Sequence, residues 1–141
     1  MILHKVIATT GKFDYLTDID IMFLEHSRSL GDELSVMLYN DHRINLGGTI
    51  RGQRNEARLQ QLDSLDCVDS VTITTHGYGF RYAPFTEHEK SDLSVGYELE
   101  QLRPHLFVTN NQKVWIHNET ACEELDIPMQ FILMEDFLSD E

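Results

Sequence analysis

The sequence predicts a single α/β domain, a parallel sheet of roughly five strands with helices on both faces. Three observations carry this. Short apolar, β-branched runs alternate with segments whose apolar residues recur at helical spacing. The first run ends at a glycine turn and a helical pattern follows at once. The chain's 141 residues, 41% of them hydrophobic, suffice to bury one core without disulfide staples.

The elements follow in order. "ILHKVIAT" is a buried first strand ending at Gly11. Ile19, Met22, Phe23 and Leu30, with Ser27, share one helix face. Leu34 to Tyr39 is the second strand, and "DHRINLGGTIRGQ" is a polar loop. "NEARLQQLDSL" is a helix through Ala57, Leu59, Leu62 and Leu65, and "VDSVTITT" is the third strand. Residues 76–97 carry glycines, a proline and mixed charge, and read as an irregular flap or insertion. "ELEQLRP" is a short helix stopped by Pro104, and "HLFVTN" is the fourth strand. "NETACEEL" is a helix and "MQFILM" the fifth strand. Residues 135–141 form an acidic tail. Ligands of such sheets bind at the carboxyl ends of the strands, where the Thr9–Asp14 turn falls.

Charge narrows the partners. There are 24 acids against 11 bases, a formal charge of −13. That field repels nucleic acid and anionic membranes over a Debye length of about 10 Å. No Lys/Arg run offsets it, so neither is expected as a partner. Cys67 and Cys122 lie far apart with no metal spacing, and read as reduced packing residues. The amino-terminal run is too short to span a bilayer and lacks a cleavable-signal pattern, so a soluble cytoplasmic protein is expected. Seven histidines show no zinc spacing; His42 and His76 fall near the carboxyl ends of strands. "HGYGFRY" interleaves aromatics with glycine, as a base-stacking lid or as a partner-binding flap. No P-loop or nucleophile-elbow motif is present.

Four stretches resemble the cytidylyltransferase-like nucleotidyltransferase superfamily, which includes glycerol-phosphate cytidylyltransferases and heptose-phosphate adenylyltransferases. "TTGKFDYL" is similar to its G-T-F-D turn, and "SLGDELSVMLYND" to its L-G-D-x-L strand. "NEARLQQLDSLDCVDSVTI" follows its E-x-R…V-D-x-V segment, and "LRPHLFVTNN" its P-D-x-F-V strand. The resemblance implies a Rossmann-like fold, a nucleotide ligand, and transfer of a nucleotidyl group to a phosphorylated alcohol or sugar with release of pyrophosphate. It also implies a homodimer. The nucleotide-binding candidates it marks are Thr10, Gly11, Lys12, Phe13, Arg51, Arg58 and Thr109.

The departures fall at the chemistry. Thr17, Asp18, Ile19 and Asp20 stand where the family has H-x-G-H, so both histidines are replaced. The family's lysine after the second strand falls near Gly47, and its lysine and glycine after the fourth become Thr109 and Asn110. The family's I-S-T-S segment has no match. Phosphoryl chemistry needs donors and cations around the developing charge. A carboxylate about 4 Å from a phosphate oxygen repels it by about 1 kcal/mol even in bulk water. Thr17-x-x-Asp20 reads instead as a capping box, with Asp18 complementing the helix dipole. Asp14, Asp18 and Asp20 are the competing Mg²⁺ reading, with a nucleotide as the co-ligand.

Three cations remain as candidates. Lys12 binds an anion or pairs with Asp14 or Asp18. Arg58 contacts a nucleotide or braces the site, or pairs with Glu56 or an acid on the next turn. Arg51 is a candidate for anion contact. Two functions follow: a degenerate member acting as a nucleotide- or protein-partner-binding module, or a divergent transferase with Lys12, Arg51, Arg58 and magnesium as a relocated cationic set.

Overall fold

A computed structural model of the protein describes residues 4–13, 15–39, 55–74 and 95–133. The strands are β1 (Val6–Gly11), β2 (Glu33–Leu38), β3 (Ser70–Ile73), β4 (Leu106–Thr109) and β5 (Met129–Phe131). The helices between them are α1 (Asp18–Ser29), α2 (Asn55–Asp63), α3 (Gly96–Leu102) and α4 (Gln112–Glu124). The strands form one parallel sheet in the order β3-β2-β1-β4-β5. This is the Rossmann-like α/β architecture that the sequence predicts.

Period-two alternation divides the core in two. Ile7, Leu34, Val36, Leu38, Leu106 and Val108 point to the face covered by Phe23 and Leu24 of α1 and Leu62 of α2. Ala8, Met37 and Phe107 point to the other face, under Leu99 of α3 and Val114 and Cys122 of α4. Both faces are therefore buried, which is why these strands read as nearly continuous apolar runs.

Two of the family-like stretches act at the amino ends of the strands. In "SLGDEL", Asp32 accepts the Lys5 N–H at 2.7 Å, and its own N–H donates to the Lys5 carbonyl at 2.8 Å. A Cβ on Gly31 would lie 2.8 Å from both the Ile7 side chain and the Lys5 carbonyl oxygen, so only glycine lets the α1–β2 turn approach β1. In "VDSV", Asp69 accepts the Leu34 N–H at 2.8 Å and pairs with Arg28 at 2.9 Å. It thereby joins the starts of β2 and β3 to the end of α1. His105 works at the same edge, its Nδ1 accepting the Val6 N–H at 3.0 Å.

Several boundaries differ from expectation, three of them for reasons visible in the bonds. The helix expected over residues 118–125 begins six residues earlier, at Gln112. Asn111 caps it, accepting from the N–H groups of Lys113 and Val114. The periodicity is broken by Asn118, which is fully buried rather than surface-facing. Its amide donates to the Val114 carbonyl and accepts the Val95 N–H at 2.7 Å. The irregular stretch 76–97 ends in structure, since Gly96 and Tyr97 open α3. The rest of that stretch, to residue 94, lies outside the described residues, as does the 135–141 tail. The third strand starts at Ser70 rather than Val68, because the Val68 N–H turns back to the Leu65 carbonyl at 3.1 Å instead of pairing with β2. Among the described residues, no helix is long and apolar enough to cross a membrane.

Candidate functional site

The order of strands reverses between β1 and β4, and a crevice opens there at their carboxyl ends. A cleft of about 240 Å³ occupies it. Thr10, Gly11, Lys12 and Phe13 line one wall, and Asp20 and Phe23 of α1 another. Tyr39 beyond β2, with Asn110, Asn111 and Val114, closes the remainder. A larger cavity of about 300 Å³ lies elsewhere, between Met37, Thr72 and Ile73 of the sheet and Tyr97 and Glu98 of α3. Its lining is mostly apolar and it sits away from the strand reversal.

The turn after β1 coils tightly. Phe13 and Tyr15 both have left-handed backbones, with φ of 46° and 55°. A Cβ on Gly11 would come within 2.9 Å of the Phe13 ring, so glycine is what lets that ring fold back over the strand end. Arg58 reaches this turn from α2. It is fully buried, and its Nη1 donates to the Lys12 carbonyl at 2.8 Å. The guanidinium thus holds the turn that lines the cleft, and Lys12 itself is part of that lining.

Helix α1 begins with the reciprocal cap read in the sequence. The Thr17 hydroxyl accepts the Asp20 N–H at 3.1 Å, and Asp20 Oδ2 accepts the Thr17 N–H at 3.0 Å. Asp18 is exposed in the first turn, next to the dipole's positive end. Helix α4 is capped in one direction only, Asn111 accepting from the Lys113 and Val114 N–H groups. Both helix ends that border the cleft therefore hold oxygen acceptors from their own chain. Two hydroxyls, Thr10 in the wall and Thr109 at the end of β4 beside it, are likewise engaged. Thr10 donates to the Met37 carbonyl at 2.6 Å, and Thr109 Oγ1 accepts the Asn111 N–H at 3.1 Å.

The remaining candidates divide by place. Asp14 and Arg51 lie outside the described residues, as do Gly47, His42, His76 and the "HGYGFRY" segment. Among the described residues, no group of three or more His, Cys, Asp or Glu is arranged to hold a metal ion. Asp20, one of the suggested Mg²⁺ ligands, is bonded to the Thr17 amide. The described donors thus do not by themselves form a magnesium site. Both cysteines are free. Burial pushes the Cys122 thiol up to about 12. Burial, then the Glu25 carboxylate, raises Cys67. Sequence reading missed Phe23, Tyr39, Asn111 and Val114 as cleft residues. Asn111 carried the usable signal, an asparagine three residues before Val114 at the end of a strand.

No family model matches the chain. Individual proteins do. The chain is 30% identical over 114 residues to the FAD synthase of Methanocorpusculum labreanum, spanning 75% of this chain and 76% of that one. It is 35% identical over 74 residues to the bifunctional protein HldE of Desulfatibacillum aliphaticivorans. That match spans 49% of this chain and only 14% of HldE. In fold, it resembles the lipopolysaccharide core biosynthesis protein of Thermoplasma volcanium, with a TM-score of 0.68 and 20% identity over 92% of this chain and 94% of that one. A pantoate–β-alanine ligase of Francisella tularensis superposes with a TM-score of 0.60 and 17% identity over 94% of this chain, which spans 60% of the ligase. The chain belongs to the cytidylyltransferase-like nucleotidyltransferase superfamily.

Proposed function

We propose that this protein keeps the nucleotidyltransferase scaffold but has lost nucleotidyl transfer, and acts as a binding module for a nucleotide-like ligand or a protein partner. One observation carries the reading: the Thr17–Asp20 capping box occupies the two positions that hold histidines in the family pattern. Transfer requires preorganised donors around the α-phosphate. A hydroxyl and a carboxylate that satisfy each other's amides supply none, and the carboxylate opposes the phosphate's charge. In this reading residues 1–141 form one domain, Thr10, Gly11, Lys12 and Phe13 shape the cleft, and Thr109 holds the Asn111 amide beside it, none of them contacting phosphate.

A divergent transferase is the second reading. It is favoured by 30% identity to a protein named for making FAD, over 76% of that protein. Its cations would be Lys12 and Arg51, with Arg58 behind them and magnesium bridging the phosphates. One experiment separates the two. The purified protein is mixed with each of the four nucleoside triphosphates, Mg²⁺ and a panel of phosphorylated alcohols, phosphorylated sugars and flavin mononucleotide. Background-level pyrophosphate supports the binding module; release above background with any acceptor overturns it.

A further inference from the structure

We infer that the cleft between β1 and β4 accepts an uncharged nucleoside in preference to the corresponding triphosphate. This rests on the binding-module reading and names its ligand class. Size is the first reason. At about 240 Å³ the cleft lies below the roughly 300–1,000 Å³ of sites that enclose drug-sized ligands, which favours a base with its sugar over a longer phosphorylated molecule. Chemistry is the second. Phe13 and Phe23 supply apolar ring surface, while Asn110 and Tyr39 add an amide and a phenol, the mixed lining that suits a flat heterocycle bearing polar edges.

Charge decides between nucleoside and nucleotide. Anions settle on helix N-termini because free N–H groups and the dipole meet them there. At α1 the Asp20 N–H donates to Thr17 Oγ1 and the Asp20 carboxylate sits at the cap, accepting the Thr17 N–H; at α4 the Lys113 and Val114 N–H groups donate to Asn111 Oδ1. Asp20 also forms part of the cleft wall, with Asp18 exposed two residues away. Lys12 is the cation in the described lining, set against that carboxylate and a chain of net charge −13. Each added phosphate raises the opposing charge, and the repulsion is screened by salt.

The test is titration calorimetry of the full chain with adenosine, cytidine, guanosine and uridine and with their triphosphates. Buffers contain EDTA at low and high salt. At least one nucleoside is expected to bind at least tenfold more tightly than its triphosphate, with the gap shrinking at high salt. Asp20→Asn keeps an oxygen for the Thr17 amide but removes the charge, and should bring the triphosphate-to-nucleoside affinity ratio closer to one. Asp18→Asn, exposed and outside the cap bonds, gives a second reading should Asp20→Asn fail to fold. A triphosphate that binds as tightly as its nucleoside overturns the inference, as does a ratio indifferent to salt and to both substitutions, or no binding of any of the eight ligands. A parallel pyrophosphate assay with Mg²⁺ separates the failures. Triphosphate preference without turnover sinks only this inference, and turnover sinks the binding-module reading with it.

Discussion

Arg58 and Lys12, 46 residues apart, are joined by a 2.8 Å hydrogen bond from a fully buried guanidinium to a main-chain carbonyl. A family-like arginine on α2 thus fixes the turn that ends β1. Replacing Arg58 with Met keeps the length and removes the donor. The expected cost is about 2–3 kcal/mol by urea unfolding, since a charged hydrogen bond is lost and a polar group is left behind. Amide exchange at Tyr39, which donates to the Gly11 carbonyl beside this turn, should quicken. Arg58→Lys should recover only part of the loss, because an ammonium lacks the planar fork.

The Thr17 cap is the second target. Thr17→Ala should lower stability by about 1 kcal/mol. Restoring the family pattern by Thr17→His with Asp20→His should also destabilise, by about 1–2 kcal/mol, because both halves of the box go at once. Thermal melts of the two variants check this. An unchanged or higher melting temperature would assign the pair to something other than helix closure.

Gly31 has no room for a side chain. Gly31→Ala drives a Cβ against the Lys5 carbonyl, which is backbone and cannot swing aside. The expected cost is about 1–3 kcal/mol, as for other overpacked sites. Chemical denaturation measures it directly.

The thiols make a prediction about pH. Cys122 holds its proton to about 12 in the folded chain, against 9.0 for a free thiol. Between those values the native state keeps a proton that the unfolded state releases. Its contribution is full below pH 9, and stability falls as pH rises above it, by about 1.4 kcal/mol per unit from this group. At pH 8 Cys122 should resist iodoacetamide until the chain unfolds, and half-buried Cys67 should react slowly. Mass spectrometry of the alkylated peptides distinguishes the two.

The strands were legible because alternation on two buried faces leaves an apolar run whichever way it is read. The α1 cap was legible because its two partners lie three residues apart. The start of α4 was not. Val114, Trp115 and Ile116 favour strands, and Asn118 places an amide where a helix face would show a hydrophobe. Asn118 is tolerated there because Val95 and Val114 satisfy it, and no local pattern announces a partner 23 residues away. The roles of Gly31 and Asp69 were similarly hidden. Their resemblance to family motifs was plain, yet the structure assigns both to the amino edge of the sheet, opposite the cleft. The cleft itself was predicted in position by strand topology, while Tyr39 and Phe23 joined it through packing alone.

Asn118 has one more effect. By gripping the Val95 amide it ties the entry of α3 to the middle of α4, two helices packed on the same face of the sheet. A buried side-chain amide shared between two helices makes them open as one unit, so the Val95 amide should exchange with deuterium at the rate of the α4 interior.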